Sequence, residues 1–333
     1  MSPRRRIIPL FVPHLGCPND CVFCNQRKIS GSLTPADGDT VRRIVELARE
    51  YTPAGAELAF YGGSFTAIPE EQQRELLEAA RPYMEEGFIA EIRVSTRPDK
   101  IDPDALELLR EYGVKTVELG SQSMDEKVLR MSGRGHTAED TRRAAALIKA
   151  SGFKLMLQMM TGLPGSSPET DIMTARELIK LNPDGVRIYP TVIIRDTALY
   201  DLWQAGKYSE HTVEDAVSVC AEIVKEFDGA GIPIIRLGLN PTDDLSAGEA
   251  AGGAYHPALG ELVYSRIYLQ KAEKLIAESG CRGSVTLGVH PSRVSLMTGQ
   301  KRQNINKLTE KFGLKELKVI KTQVNDGEIV ILP

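Results

Sequence analysis

Three cysteines near the N-terminus have the spacing of a metal-cluster site. Cys17, Cys21 and Cys24 form the pattern C-x3-C-x2-C. Cysteine thiolates hold iron–sulfur clusters, and a four-iron cluster usually takes four of them, one for each iron. Cys220 and Cys281 lie in stretches that are predicted to be a helix and a helix end, so they are poor fourth ligands. The triplet therefore predicts a cluster with one open corner, where another molecule can bind.

Two other uses of the cysteines stay open. Zinc would accept Cys17, Cys21 and Cys24 with His14 as a fourth ligand, because it takes three sulfurs and one imidazole in a tetrahedral array. The chain would then be a non-enzymatic zinc-binding protein. Disulfides are less favoured, because five cysteines are an odd number and no apolar secretory core follows the start Met-Ser-Pro-Arg-Arg-Arg. We therefore expect a cytoplasmic protein.

Size and composition indicate a globular protein. The chain has 333 residues, of which 42% are hydrophobic, and can bury one large core with a small appended domain. No uninterrupted apolar stretch approaches the length of about 20 residues that a membrane span needs. The net charge of -4 disfavours broad nonspecific binding to nucleic acid, although a local basic patch could still dock a structured RNA.

Short apolar runs rich in β-formers alternate with segments of helical periodicity, such as the one that contains Val41, Ile44, Val45 and Ala48. Repeated βα units require parallel strands with right-handed crossovers. We predict an α/β fold, with a partial (β/α)6 parallel barrel over residues 1–240. A small C-terminal α+β extension, residues 241–333, would close the barrel and shape the substrate site. The six predicted strands are Ile7–Val12, Glu57–Tyr61, Ile89–Ser95, Thr116–Leu119, Lys154–Met160 and Gly185–Tyr189.

Polar or glycine-rich segments follow several of these strands. Ligands bind at the carboxyl ends of parallel strands, and the cysteine segment follows the first strand directly. The second strand ends in Gly62-Gly63-Ser64, where missing Cβ atoms let backbone groups approach a ligand, although the glycines by themselves favour a tight strand-to-helix turn. The next three strands end in Ser95 to Asp99, in Gly120 to Ser123, and in Gln158 followed by Thr161 to Gly165. Together these strand-end segments predict a site for a polar cofactor.

The cysteine triplet, Phe23 before its last cysteine, and the pair Gly62-Gly63 resemble the signature of the radical S-adenosylmethionine (SAM) enzymes. The resemblance implies a [4Fe-4S] cluster on Cys17, Cys21 and Cys24, with the remaining iron chelated by the amino and carboxylate groups of SAM. One electron, from a donor such as flavodoxin or ferredoxin, would split the sulfonium. The resulting 5′-deoxyadenosyl radical would abstract hydrogen from the substrate, while the protein orients the reactants and excludes water.

Further motifs look like the radical domain of the Elongator catalytic subunit family. The likeness extends to about residue 270, and the oxygen-independent coproporphyrinogen oxidases are more distant relatives. The motifs that resemble the family are Val94 to Asp99, Gly120 to Ser123, Arg134-Gly135-His136, Gly162 to Gly165, Arg187 to Thr191, Thr197 to Tyr200, Gly206-Lys207-Tyr208, Ile235 to Leu239 and His256 to Leu262.

This resemblance implies a set of cofactor-binding residues. Gly62 and Gly63 would meet the methionine amino group. Ser95 and Gln158 stand where the coproporphyrinogen oxidases have acidic groups, so their hydrogen bonds would differ. Capping of buried backbone groups by the glutamines and an exposed salt bridge of Arg134 are the alternatives. The full predicted set is Phe23, Gly62, Gly63, Ser64, Ser95, Gln122, Arg134 and Gln158.

The expected substrate is a modified nucleobase, free or within tRNA. Elongator subunits also have an acetyltransferase domain, and because only about fifty residues follow Gly283, we do not expect acetyl-dependent chemistry. Fragmentation like that of a queuine lyase is one concrete version, so the enzyme would be a lyase or an oxidoreductase. Radical chemistry on a porphyrin or another small molecule is the alternative. Oligomeric state is left unassigned.

Candidate substrate-facing residues lie near predicted strand ends or near abrupt glycines and prolines. Core or capping roles are the alternative for each. These candidates are Tyr189, Arg187, Arg236, His256 and His290.

The C-terminal stretch Lys301–Lys321 has seven Lys or Arg against Glu310 and Glu316, which fits either a solvated helix face or RNA docking. Residues 317–322 and 328–332, around Asn325-Asp326-Gly327, predict a hairpin that closes over the open side of the barrel.

Overall fold

The structure, a computed structural model, describes residues 6–12, 17, 21–24, 36–239 and 249–332. His14, the fourth ligand of the zinc alternative, lies outside the described residues.

The strands are β1 (Ile7–Val12), β2 (Ala56–Gly62), β3 (Ile89–Thr96), β4 (Val114–Gln122), β5 (Lys154–Thr161), β6 (Gly185–Pro190), β7 (Val192–Ile194), β8 (Ile234–Leu237), β9 (Ala250–Gly253), β10 (Ser284–Val289), β11 (Glu316–Lys321) and β12 (Ile329–Leu332). The α-helices are α1 (Gly38–Arg49), α2 (Glu70–Glu85), α3 (Pro103–Glu111), α4 (Glu126–Met131), α5 (Ala138–Ala150), α6 (Pro168–Lys180), α7 (Ala198–Gln204), α8 (Val213–Gly229), α9 (Leu259–Ser279), α10 (Val294–Thr298) and α11 (Gln303–Phe312).

Seven parallel strands form the main sheet in the order β1-β2-β3-β4-β5-β6-β8. This sheet is the open α/β barrel that the sequence predicts, and all six predicted strands are confirmed. The short strand β8 is a seventh member that the sequence did not reveal. Because every pair is parallel, the carboxyl ends of all seven strands lie at one edge of the sheet, here called the rim.

The alternating pattern of β1 shows how the sheet divides the molecule into two sides. Leu10 and Val12 are buried against the helices, whereas Ile7 and Phe11 point to the inner face and are 39% and 41% exposed. On the helical side, one continuous core joins the sheet to apolar stripes such as Val41 and its neighbours on α1. Burial of each large side chain there contributes about 1.5–3 kcal/mol. At β1 the inner face therefore remains accessible.

Helix α9 connects the barrel to a second, smaller core. Its residues Val263 and Ile267 pack in the barrel core, whereas Leu269 and Ile276 pack against β10, α10 and α11. A three-stranded sheet in the order β11-β10-β12 completes this unit.

The predicted hairpin of residues 317–322 and 328–332 is wrong. β11 and β12 both form, but each pairs with the central strand β10, in parallel and antiparallel fashion respectively. The Asn325-Asp326-Gly327 turn therefore lies between two strands that do not pair with each other.

Among the described residues, no helix combines the length and apolar character that crossing a membrane requires.

Candidate functional site

The cysteine segment lies at the rim, after β1. Cys24 N–H donates to the carbonyl of Cys21 over 2.9 Å, which forms a tight turn through Val22 and Phe23. The backbone of Val22 is held from both sides, because its N–H donates to Ser132 O over 3.1 Å and its carbonyl accepts from Leu199 N–H over 2.7 Å. The ends of α4 and α7 thus fix the segment that contains two of the three predicted cluster ligands.

Arg134 connects this segment to the end of β4. Its Nη1 donates to the Sγ of Cys21 over 3.2 Å, and its Nη2 donates to Gly120 O over 2.6 Å. The carbonyl of Arg134 accepts from Arg97 Nη2 over 2.5 Å. Arg134 is 7% exposed, so the alternative of an exposed salt bridge is wrong. A positive charge therefore lies beside one of the sulfurs.

The two predicted glutamines lie next to each other at the rim. Gln158 Nε2 donates to Gln122 Oε1 over 3.2 Å. Gln122 has a φ of 63°, in the left-handed region that a non-glycine residue rarely adopts, at a register shift between β4 and β5. Such strain costs on the order of 1–3 kcal/mol and is concentrated at ligand sites. This observation favours a ligand role for Gln122 over simple capping.

The glycine pair and Ser64 have structural roles of their own. Gly62 has a φ of 104°, and a Cβ there would lie 2.8 Å from Val12 O, so only glycine fits this approach to β1. Gly63 N–H donates to the same carbonyl over 3.0 Å. Ser64 Oγ bonds to Thr96 Oγ1 at 2.9 Å and accepts from Arg97 N–H over 3.2 Å. These contacts join the ends of three strands.

Several buried polar atoms at the rim have no hydrogen-bond partner among the described residues: Ser95 Oγ, Arg97 Nη1 and Ser121 Oγ. Buried polar groups in folded proteins are nearly always paired, so each of these atoms needs a partner from elsewhere. Ser95 and Ser121 are near the carboxyl ends of β3 and β4, and Arg97 directly follows β3. Hydroxyl and guanidinium groups suit the ribose and carboxylate of SAM, so the residues present fit this cofactor.

The cysteines have the right chemistry for an iron–sulfur cluster, but their side chains are not arranged around a common metal position. Cys21 is 9% exposed, and Cys17 and Cys24 are partly exposed. In the part of the chain that the structure describes, no three Cys, His, Asp or Glu side chains lie close enough together to hold a metal ion. The assignment of Cys17, Cys21 and Cys24 as ligands therefore stays a prediction based on residue type, spacing and position at the rim.

Below the rim, the inner face contains a line of alternating charges, here called the charge ladder: Glu57, Arg93, Glu118 and Arg187. Arg93 donates from Nε and Nη2 to the two carboxylate oxygens of Glu57, each over 3.0 Å. Glu118 Oε2 accepts from Arg93 Nη1 over 3.4 Å and from Arg187 Nε over 3.0 Å. All four side chains are at most 10% exposed. Paired in this way, the charges are compensated within the barrel.

Two tyrosines lie at the upper end of the charge ladder. Arg187 Nη2 donates to Tyr61 Oη over 2.8 Å, and Nη1 donates to Tyr189 Oη over 3.4 Å. Burial, reinforced by the charge of Glu118, raises the pKa of Tyr61 to about 12, so its hydroxyl keeps its proton. Burial is the largest single effect on Arg187 and lowers its pKa, but Glu118, Tyr189 and Tyr61 together outweigh it, so the pKa of the guanidinium is raised. Phe11 lies beside Tyr61, with ring centroids 6.3 Å apart.

The five predicted substrate-facing residues do not come together. Arg187, Tyr189 and Arg236 share the inner face, since Arg187 pairs in register with Arg236, whose Nε donates to Gly238 O over 3.2 Å. His256 instead precedes α9, where its Nδ1 accepts from Ala258 N–H over 3.1 Å. His290 follows β10 of the second sheet and bonds to Ser292 Oγ at 2.8 Å, so it is not at the rim.

Sequence reasoning missed Tyr61, Arg97 and His136 as candidates. His136 bonds through Nε2 to Ser121 O at 3.2 Å. Burial, with the positive charges of Arg134 and Arg97, lowers the pKa of His136 to about 4, so its ring is neutral at pH 7. Their positions in the sequence could have revealed them, because Tyr61 ends a predicted strand and Arg97 and His136 lie within motifs that resemble the Elongator family.

A second buried polar group supports the segment after β5. Asp171 Oδ2 accepts from Gly162 N–H over 2.9 Å, and Tyr208 Oη donates to Gly162 O over 2.6 Å. Thr161 Oγ1 bonds to His211 Nε2 at 3.2 Å and to the buried Sγ of Cys220 at 4.0 Å. Burial is the largest effect on Asp171 and raises its pKa to about 7.

We expect Asp171→Asn to remove a pH dependence of stability. Because the folded-state pKa of Asp171 is raised to about 7 from 3.8, its contribution is fully present below pH 3.8 and is lost as pH rises towards 7. Relative to Asp171→Asn, the wild type should therefore lose up to roughly 4 kcal/mol of unfolding free energy across this range. Urea denaturation at pH 5 and pH 8 checks this. A constant difference between the two proteins would contradict the expectation.

The family comparisons agree with this geometry. The model of the radical SAM superfamily matches residues 11–178, half of the chain, and that of the radical SAM C-terminal domain matches residues 183–269. Elongator complex protein 3 of Mus musculus is 32% identical over 231 residues, 63% of this chain and 41% of the relative. The tRNA uridine(34) acetyltransferase of Methanocaldococcus jannaschii is 31% identical over 253 residues, 70% of this chain and 46% of the relative. The chain thus spans less than half the length of these curated relatives.

Solved structures have a similar fold. Methanocaldococcus infernus Elp3 with an N-terminal deletion matches with a TM-score of 0.62 and 26% identity, over 83% of this chain and 63% of that chain. Coproporphyrinogen III oxidase (HemN) of Escherichia coli matches with a TM-score of 0.50 and 21% identity, over 68% and 53% of the two chains, which shows the fold alone. The resemblance to the Elongator family is confirmed. Since the superfamily model spans half of its length, the chain belongs to the radical SAM superfamily, whose enzymes use a [4Fe-4S] cluster and S-adenosylmethionine.

Proposed function

We propose that this enzyme abstracts hydrogen from a modified nucleobase, either within tRNA or as the free base. Two relatives support this class of substrate: one is named as a tRNA uridine(34) acetyltransferase and the other as Elongator complex protein 3. Fragmentation of a base such as queuine is one concrete version of the reaction. The enzyme would then be a lyase.

The proposal rests chiefly on the aromatic and polar side chains of the inner face near the rim. Phe11 is 41% exposed there, beside the ring of Tyr61, and Arg187 binds Tyr61 and Tyr189. Aromatic side chains stack on bases, and each stacked base contributes about 1–3 kcal/mol to binding. Guanidinium and phenol groups bind the polar edges of a heterocycle. A planar, polar substrate fits these surroundings better than an aliphatic one.

The rim residues would bind the cofactors. Cys17, Cys21 and Cys24 would hold the cluster, and Gly62 and Gly63 would lie against the methionine amino group. The hydroxyls, amides and guanidinium that would contact the ribose or carboxylate of SAM belong to Ser95, Gln122, Arg134 and Gln158. Phe23 and Ser64 would support them from the cysteine turn and the β2 end. When they are bound, the cluster and SAM supply a 5′-deoxyadenosyl radical by reductive cleavage of SAM.

The remaining residues would orient the substrate and keep water away. The charge ladder fixes Arg187 from below, because its Nε is bonded to Glu118. Tyr189 and Arg236 would present a hydroxyl and a second guanidinium to the substrate. A fixed polar environment of this kind replaces the solvation shell of the substrate without reorganisation during the reaction. Electrons would come from a small redox protein such as flavodoxin or ferredoxin.

Anaerobic reconstitution tests the proposal. The purified protein should bind about four irons per chain, as a [4Fe-4S] cluster requires, and should release 5′-deoxyadenosine from SAM under reduction. Modified bases and bulk tRNA should then be screened for faster release, with mass spectrometry of the products. A colourless protein that holds one zinc would refute the proposal and support the zinc-binding alternative. Acceleration by a porphyrin, and by no base or tRNA, would refute the substrate class.

A further inference from the structure

The C-terminal basic unit, residues 281–332, has a charge opposite in sign to the rest of the chain. It contains nine Lys or Arg and four Asp or Glu, a net charge of +5, whereas the whole chain is -4 and the remainder is therefore -9. Such an asymmetry between parts of one chain indicates an anionic partner for the basic part. The unit also lies beyond both family matches, which end at residues 178 and 269.

Some of its cations are neutralised within the protein. Arg293 makes a bidentate pair with Asp326, with distances of 2.5 and 2.6 Å, and Lys311 pairs with Glu273 of α9 at 3.0 Å. Others are exposed, and among the described residues no carboxylate forms a salt bridge with them. These exposed cations are Arg282, Lys301, Arg302, Lys307, Lys315 and Lys321.

Three of these cations lie at one edge of the second sheet. Lys321 ends β11 opposite Val289, the last residue of β10. Because β10 and β11 are parallel, α11 must return the chain to the opposite edge, where Lys315 N–H donates to Gly283 O over 2.8 Å. Ten helical residues span about 15 Å and a six-residue strand about 20 Å, so α11 begins near the end of β10. Lys301 and Arg302 precede that helix start.

The start of α11 is held rigidly. Asn304, 2% exposed, donates through Nδ2 to Ser265 O and Oγ over 3.1 and 2.9 Å and to Leu296 O over 3.1 Å. Lys301 and Arg302 therefore leave a backbone that is fixed to α9 and α10. The fixed backbone keeps the two cations at a constant spacing, which suits a repeating polyanion, and the cost of binding is then limited to ordering their side chains.

We propose that the C-terminal basic unit docks RNA, with Lys301, Arg302 and Lys321 at its phosphates, while the barrel receives the base. The choice of RNA as the docked molecule rests on the proposed function, whereas the binding of a polyanion does not. An anionic membrane fits less well, because a membrane-binding helix inserts apolar side chains. In α11 the apolar residues Ile305 and Leu308 are buried in the second core. The substrate would then be a base within RNA and not a free base.

Salt-dependent binding of bulk tRNA tests this inference on the full chain. The variant K301Q/R302Q/K321Q removes three charges, and R43Q/K115Q/K225Q removes three exposed charges from the barrel as a control. Each phosphate contact contributes about one unit to the slope of log K against log salt. The first variant should therefore lower the slope by about 3 and weaken binding at 0.1 M salt at least ~tenfold. The control should match the wild type.

Three results would overturn the inference: wild-type protein that does not bind tRNA, equal slopes for the two variants, or tighter binding to phosphatidylglycerol vesicles than to tRNA at the same salt concentration. Release of 5′-deoxyadenosine from SAM in the absence of RNA should be equal in all three proteins. That second measurement separates the two proposals. If the wild type releases no 5′-deoxyadenosine, the proposed function is refuted, but the result on RNA docking still stands.

Discussion

Replacing Cys21 by alanine should abolish both iron retention and reductive cleavage of SAM. A cluster held by three thiolates has no spare ligand, and Cys21 is the cysteine that Arg134 Nη1 contacts at 3.2 Å. Loss of that sulfur also leaves the guanidinium without one of its bonded partners. Iron and sulfide analysis, the visible absorption of the anaerobic protein, and 5′-deoxyadenosine formation measure the effect. Cys17→Ala and Cys24→Ala should behave in the same way.

Cys281→Ala is the matched control, because Cys281 follows α9 and lies far from the cysteine segment in sequence and fold. This variant should keep its iron and its activity. Circular dichroism of each variant shows whether the fold is retained. Cleavage of SAM at the wild-type rate by folded Cys21→Ala would refute the assignment of these cysteines to a cluster.

Replacing Glu118 by alanine should destabilise the protein by about 3–5 kcal/mol, because removal of one partner leaves uncompensated buried charge. Glu118 is 3% exposed and accepts hydrogen bonds from both Arg93 and Arg187. Without it, Arg187 loses its only carboxylate partner within the described charge ladder. Chemical denaturation of the wild type and the variant measures the difference in unfolding free energy.

Lys154→Ala supplies the comparison for this second prediction. Lys154 pairs with Glu91 at 3.1 Å on the same inner face, but its side chain is 54% exposed. Exposed ion pairs contribute about 0–1 kcal/mol, so this variant should stay close to the wild type. If Glu118→Ala and Lys154→Ala lose equal amounts of stability, the charge ladder does not stabilise the barrel in the way inferred from its burial.

The parallel sheet could be predicted because its strands are buried on the helical side and read as short apolar runs between helical segments. β8 was missed because it has only four residues, between Pro233 and Gly238. The wrong hairpin has a different cause. An Asp-Gly signal predicts a local turn, but it does not reveal that a third strand, Ser284–Val289, pairs with both neighbours.

Part of the candidate site could also be predicted from the sequence. Gln122, Arg134 and Gln158 belong to motifs, and the structure places them in contact with one another or with the cysteine segment and the end of β4. The charge ladder was not predicted, because Glu57 and Glu118 each interrupt a separate apolar run, and their shared partner Arg93 is distant in sequence. Only the strand register brings such residues together.

Helix α9 has a consequence for how the molecule responds to stress. Its 21 residues contribute side chains to both cores, so fraying of this one helix would expose apolar surface on the barrel and on the C-terminal basic unit at once. Removal of the C-terminal basic unit would likewise leave Leu269 and Ile276 bare on the surviving helix. The two cores are therefore thermodynamically coupled and are expected to melt together.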